Sequence, residues 1–239
     1  MYKYLKEVYI QLEALRNPQK AAGLMKFFQA YPGGYGEGDS FYGLTVPQQR
    51  TLCKAYYKVL TLADLQTMLK HNVHEFRLTA LMMLVMRMQR SKETAEQDSI
   101  ANLYLKHLEY VNNWDLVDAS AHYILGPWLW DKPHDILFQL AEADHLWKQR
   151  VAVITTLYFI RHSQFATTFK LAEKLLHHKH DLIHKAVGWM LREIGNRDYQ
   201  TEYNWLKKHY QTMPRTMLRY AIEKFEEPVR QDFLKGRIK

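Results

Sequence analysis

Apolar positions recur every three to four residues almost from one end of the chain to the other, the spacing of helices that each bury one stripe. The pattern predicts helix pairs over about 2–31, 47–69, 74–109, 114–142, 146–177 and 181–210, with a terminal helix after Pro214. Start signals agree with these bounds: Asn17-Pro18, Val46-Pro47, Asn113 before Trp114, Asp144 three residues before Trp147, Asp181 before Leu182, and Met213-Pro214. The run from Val151 to Ile160 is rich in β-formers. Trp147 and Arg161 on its flanks continue the 3.6-residue period, so a helix is expected there too.

A helix with a single apolar stripe must bury it against a neighbour, and two-helix units of about 35 to 40 residues are those of HEAT-type solenoids. The expectation is an all-α, HEAT-like helical-repeat solenoid, an α-α superhelix forming one domain over 1–239 with a concave basic face. The units share no letters, so an irregular helical bundle is the competing fold. One break stands out, the glycine-rich loop at 32–40, with Gly33, Gly34, Gly36 and Gly38. No strand precedes it, so it is not a dinucleotide fingerprint. It reads either as a flexible connector or as a backbone loop lying against DNA.

Charge adds a partner to this picture. Lys and Arg number 33 against 25 Asp and Glu, and the resulting +8 favours a polyanion such as nucleic acid. A membrane is disfavoured, because the ten apolar residues Val151 to Ile160 fall well short of the roughly 18 that suggest a span. The N-terminal residues lack a secretory apolar region, and a cytoplasmic location is expected. Cys53, the one cysteine, excludes an intrachain disulfide and reads as a small core residue.

Several residues break the helical rules. On the helix 181–194, Trp189 lies away from the stripe of Ile183, Ala186, Val187, Met190 and Ile194, on a face shared with Lys185 and Arg192. Either a ligand or a neighbouring repeat covers it. Trp114 and Asp118 are i, i+4 neighbours after the expected cap Asn113. The first-turn position of Asp115 is explained by free amides and the helix dipole. Asp118 lies a turn further in and needs another reason, either an ion pair with His122 or a cation of the next repeat, or function. Arg150 falls on an apolar stripe with Trp147, Ile154 and Leu157, and a buried guanidinium needs a carboxylate or a phosphate. Arg215 stands at a helix start, where a docked phosphate would reconcile a cation with the dipole. His180 and His184 are an i, i+4 pair, but no carboxylate or cysteine supports them and no metal site is expected. No G-x-S-x-G, H-E-x-x-H or P-loop pattern occurs.

Asn113-Trp114-Asp115-Leu116-Val117-Asp118, Trp147-Lys148-Gln149-Arg150 and Lys185-Ala186-Val187-Gly188-Trp189-Met190-Leu191-Arg192-Glu193 together resemble, in order and spacing, the AlkD-like family of bacterial DNA alkylation repair enzymes. Asn17-Pro18-Gln19-Lys20, Gly43-Leu44-Thr45-Val46-Pro47 and Pro214-Arg215 extend the resemblance over nearly the whole chain. It implies a HEAT-like solenoid whose concave face holds duplex DNA, and a glycosylase without metal or cofactor; a DNA cradle of this size can work as a monomer, which is the expected state. Such an enzyme hydrolyses the N-glycosidic bond of purines alkylated at N3 or N7 and leaves an abasic site. Carried over, Asp118, Trp114 and Trp189 are catalytic and Arg150 contacts the DNA backbone. Lys185, Arg192 and Arg215 extend that surface by helix geometry. The family does not require the base to be flipped into a deep pocket, unlike most enzymes acting on bases. The chain departs from the family's best-studied members at Asn113, where they carry a second tryptophan, at Phe27, where they carry a tyrosine, and in its glycine-rich loop. The alternative is a non-catalytic helical-repeat protein that binds branched or damaged DNA.

Overall fold

The backbone is helical wherever the apolar period is clear, and in a computed structural model describing residues 2–238 the described residues form no strand. An isolated parallel bridge pairs Ser40 with Val73. Two compact units are divided between Ile124 and Leu125. The first contains α1 (Tyr2–Ala14), α2 (Pro18–Phe27), α3 (Val46–Tyr56), α4 (Leu62–Leu69), α5 (His74–Arg90), α6 (Thr94–Lys106) and α7 (Trp114–Asp118). The division falls within α8 (Ala121–Trp128). The second contains α9 (Asp135–Glu142), α10 (Leu146–Arg161), α11 (Ala166–Lys174), α12 (Asp181–Gly195), α13 (Tyr199–His209), α14 (Arg215–Ala221) and α15 (Glu227–Leu234).

Packing follows chain order in both units. In the first, α5 lies against α3, α4, α6 and α7, while α1 packs on α3. In the second, α10 meets α9, α11 and α12, and α12 in turn meets α11, α13 and α14. Each long helix thus touches its chain neighbours and the next helix but one, the stacking of a helical repeat. The fold is all-α and of the helical-repeat kind.

The run at 151–160 is helical, and its β-like composition has a packing cause. Eleven residues of α10 are buried, including Val151 through Leu157 without interruption. A helix covered on all sides keeps no polar stripe and reads as a continuous apolar run. Arg150 therefore sits in a helix enclosed almost all round rather than on one apolar stripe.

Several expected boundaries move. The 114–142 pair is three helices, because the chain turns after α7 and again after α8. The terminal helix is two, with Pro228 at the start of α15 opening a second. The Asp144 start signal is displaced by His145, which caps α10 by accepting from the Lys148 amide at 3.4 Å. Likewise His180 caps α12 through the Leu182 amide at 3.1 Å, and Asp181 lies in the first turn instead. Imidazole nitrogens do here what a carboxylate was expected to do. Asn17 caps α2 through the Lys20 amide at 3.0 Å, as its place before Pro18 suggests.

The glycine-rich segment is a tied loop and not a loose connector. Gly33 and Gly38 adopt left-handed φ of 79° and 88°. Just beyond it, the buried carboxylate of Glu75 accepts from the amides of Tyr42, Gly43 and Leu44 at 2.7 to 3.1 Å. Cys53 is fully buried in the first unit's core, and burial pushes its thiol pKa up to about 12.

Candidate active site

α7 has five residues, far fewer than an isolated helix needs for stability in water, so its surroundings must hold it. Asn113 is its N-cap and its Oδ1 accepts from the Trp114 amide at 2.9 Å. Asp115 Oδ1 accepts from the Leu116 amide at 2.8 Å, the role expected of a first-turn carboxylate. Its other oxygen faces His74 Nε2 at 2.8 Å. On the opposite side of the imidazole, Nδ1 faces Asp39 Oδ2 at 3.0 Å. Asp39 also accepts from Arg77 Nη2 at 2.5 Å and from Asn112 Nδ2 at 3.2 Å.

His74 is 2% exposed and packs against Phe28 and Phe41, with ring centroids 5.1 and 4.8 Å away. Burial alone lowers an imidazole pKa. Here the Asp115 charge, with the hydrogen bonds that the ring donates to Asp115 and Asp39, outweighs that burial and raises it to about 9. At neutral pH His74 is an imidazolium between two carboxylates. Burial pushes the Asp39 pKa up, but hydrogen bonding to His74 and the Arg77 charge leave it lowered.

Trp114 is half-buried. Its ring meets Phe28 at 5.3 Å and the edge of Phe27 at 5.8 Å, and its Nε1 donates to the Tyr35 hydroxyl at 3.2 Å. Phe27 itself is 62% exposed. Asp118, also half-buried, ends α7 beside the buried Tyr104, whose hydroxyl is 3.0 Å from Ser120 Oγ. Burial first, and the Asp118 charge after it, raise the Tyr104 pKa. An indole and a carboxylate one helical turn apart, both with access to solvent, are thus fixed on one short element of the first unit.

The second unit carries the other expected site residues. Arg150 is 5% exposed, and its Nη1 donates to the Leu182 carbonyl at 2.6 Å, a main-chain partner that neither expectation for it included. On α12, Lys185 pairs with Asp181 at 2.7 Å and Arg192 pairs with Glu223. The half-buried Trp189 donates from Nε1 to Glu193 at 2.9 Å. Arg215 is exposed and donates to the Leu234 carbonyl at 3.1 Å, which caps α15. α12 and α14 approach closely because Gly188 has no Cβ; one placed there would lie 2.5 Å from the Met217 carbonyl oxygen. The histidines near α12 serve the backbone. His178 Nδ1 accepts from the His180 amide at 3.0 Å, and His184 Nε2 contacts the His178 carbonyl. Among the described residues no three His, Cys, Asp or Glu side chains are grouped to hold a metal.

Tyr35, Asp39, His74, Arg77 and Asn112 were not singled out by their sequence positions. A usable signal existed in His74-Glu75-Phe76-Arg77, three ionisable residues at the start of a helix otherwise rich in Leu and Met. All three are buried.

The fold and the aromatic–carboxylate pair on α7 define a helical-repeat protein with a braced, solvent-accessible polar site. Residues 9–225 match the family model described as DNA alkylation repair enzyme, and the chain belongs to that family. A predicted DNA alkylation repair enzyme from Enterococcus faecalis has a similar structure, with a TM-score of 0.68 at 19% identity over 89% of this chain and 97% of that one. At this identity the likeness shows a common fold. A comparison with curated proteins gives no match.

Proposed function

We propose that the protein is a monofunctional DNA glycosylase that acts as a monomer on duplex DNA and releases purines alkylated at N3 or N7. The observation that carries this reading is the pairing of half-exposed Trp114 and Asp118 on one braced helix, in a member of the DNA alkylation repair enzyme family. Alkylation makes the purine cationic. When the N-glycosidic bond breaks, its electron pair goes to the base, which leaves neutral, and positive charge develops on the deoxyribose. The Asp118 carboxylate stabilises that charge and orients a water whose oxygen bonds to the sugar carbon, with the water's proton passing to Asp118 or to solvent. The Trp114 indole adds cation–π attraction of about 0.5 to 2 kcal/mol. Trp189 offers the same capacity on α12 and is assigned to the substrate on that ground. Arg150, Lys185, Arg192 and Arg215 are assigned to backbone phosphates, each sharing or exchanging a present partner.

The test is to incubate the protein with methylated genomic DNA and identify the bases released. Release of 7-methylguanine or 3-methyladenine with abasic sites left behind is expected. Salt-dependent DNA binding without any released base would replace this reading with that of a binding protein.

A further inference from the structure

The glycine-rich segment 32–40 touches Asn112, Asn113 and Trp114, the three consecutive residues that lead into α7, and reaches Asp115 through His74. The Tyr35 hydroxyl accepts from Trp114 Nε1 at 3.2 Å and donates to the Phe27 carbonyl at 3.3 Å, so one phenol joins the end of α2 to the edge of the indole. Gly36 lies against Asn113: a Cβ there would stand 3.1 Å from Asn113 Nδ2 and 2.4 Å from the Phe28 carbonyl oxygen. Asp39 accepts from Asn112 and, through His74, reaches Asp115. The segment is fixed in its own right, by the Gly36 amide donating to the Gln29 carbonyl at 3.2 Å and by the Arg77 pair with Asp39.

We propose that the glycine-rich segment is a positioning device for α7, with Tyr35 setting the plane of the Trp114 indole and Asp39 and His74 setting the height and rotation of the helix. The inference rests on the glycosylase reading for its catalytic consequence, while its geometric content stands apart. A five-residue helix has too few internal bonds to orient two functional side chains, and small displacements of such groups are costly in rate. Glycine is needed at 36 because a Cβ there would stand 2.4 Å from the Phe28 carbonyl oxygen and push the loop off the end of α2. Tyr35 and Asp39 act through Trp114 and Asp115 and are positioning residues.

The test is Tyr35→Phe, which keeps the ring and removes the hydroxyl. Base release from methylated DNA should fall about two- to tenfold, the effect of one neutral hydrogen bond. DNA affinity should stay at the wild-type value, and Tm should fall by only the few degrees that a hydrogen bond or two contribute. The indole N–H resonance of Trp114, identified by its loss in Trp114→Phe, should shift and exchange faster with water in Tyr35→Phe. An unmoved resonance overturns the inference, and so does unchanged release in an enzyme shown to be active. If the wild-type protein releases no base, the glycosylase reading falls, and the indole resonance alone decides whether the segment positions Trp114.

Discussion

Glu202 on α13 is 1% exposed, and its Oε1 has no hydrogen-bond partner among the described residues. Its carboxyl lies against Gly195, where a Cβ would meet Oε2. Burial, only partly offset by the Arg192 charge, raises its pKa to about 9. The folded state therefore holds a proton that the unfolded chain releases above its ordinary pKa of 4.5. Stability from this group is fully present below pH 4.5 and is lost as pH rises toward 9. Replacement by an apolar side chain of similar length should reverse that loss. Glu202→Met is expected to stabilise the protein by about 3 kcal/mol at pH 7 and by much less at pH 5, read from denaturant unfolding at the two pH values. Individual residues of this kind were the least legible in the sequence. Spacing alone set Trp114 and Asp118 one turn apart, because both belong to one helix, while their catalytic assignment came from the family resemblance. Tyr35 and His74 did not, since what makes them matter is contact with residues 79 and 41 positions away, which no local pattern encodes.

At the scale of elements, imidazoles recur at helix starts. His71 Nδ1 accepts from the Val73 amide at 3.0 Å just before α5, while His145 and His180 cap α10 and α12. A ring nitrogen accepts only when unprotonated. Burial, the largest cause in each case, lowers the pKa of all three. Stability from these bonds is present above the ordinary histidine value of 6.5 and is lost as pH falls through the lowered folded-state values. Thermal melts should show wild type losing more between pH 7.5 and 5 than His180→Asn, whose amide oxygen caps without titrating. A second element-level expectation concerns Gly188. Alanine there forces its methyl onto the Met217 carbonyl and the Tyr220 Cβ, and should cost about 1 to 3 kcal/mol, visible as a lowered Tm. The helices themselves were largely legible, because each needs only a periodic apolar stripe. What failed was the grouping of α7, α8 and α9 into one pair, and the two caps placed on aspartates. Histidine is not a preferred cap, and a helix of five residues leaves little periodicity to read.

At the scale of the whole molecule, a net charge of +8 favours DNA, and affinity should fall steeply with salt whatever the chemistry. The pH dependence of His74 runs opposite to that of the caps. Its pKa is raised, so its stabilisation is full below 6.5 and is lost as pH rises through about 9. His74→Gln should therefore lose less stability than wild type between pH 6.5 and 9.5 in matched unfolding curves. The same titration removes the imidazolium that holds Asp39 and Asp115, and base release is expected to decline over that range.

The central claim is that Asp118 performs chemistry on the sugar and does not merely hold DNA. Asp118→Asn keeps the shape and removes the charge, so comparing 7-methylguanine release with DNA affinity in the wild type and this variant tests it most directly. The account predicts release lowered by at least about 100-fold, in the range of acid–base and electrostatic contributions, with affinity unchanged. Release at the wild-type rate would contradict it.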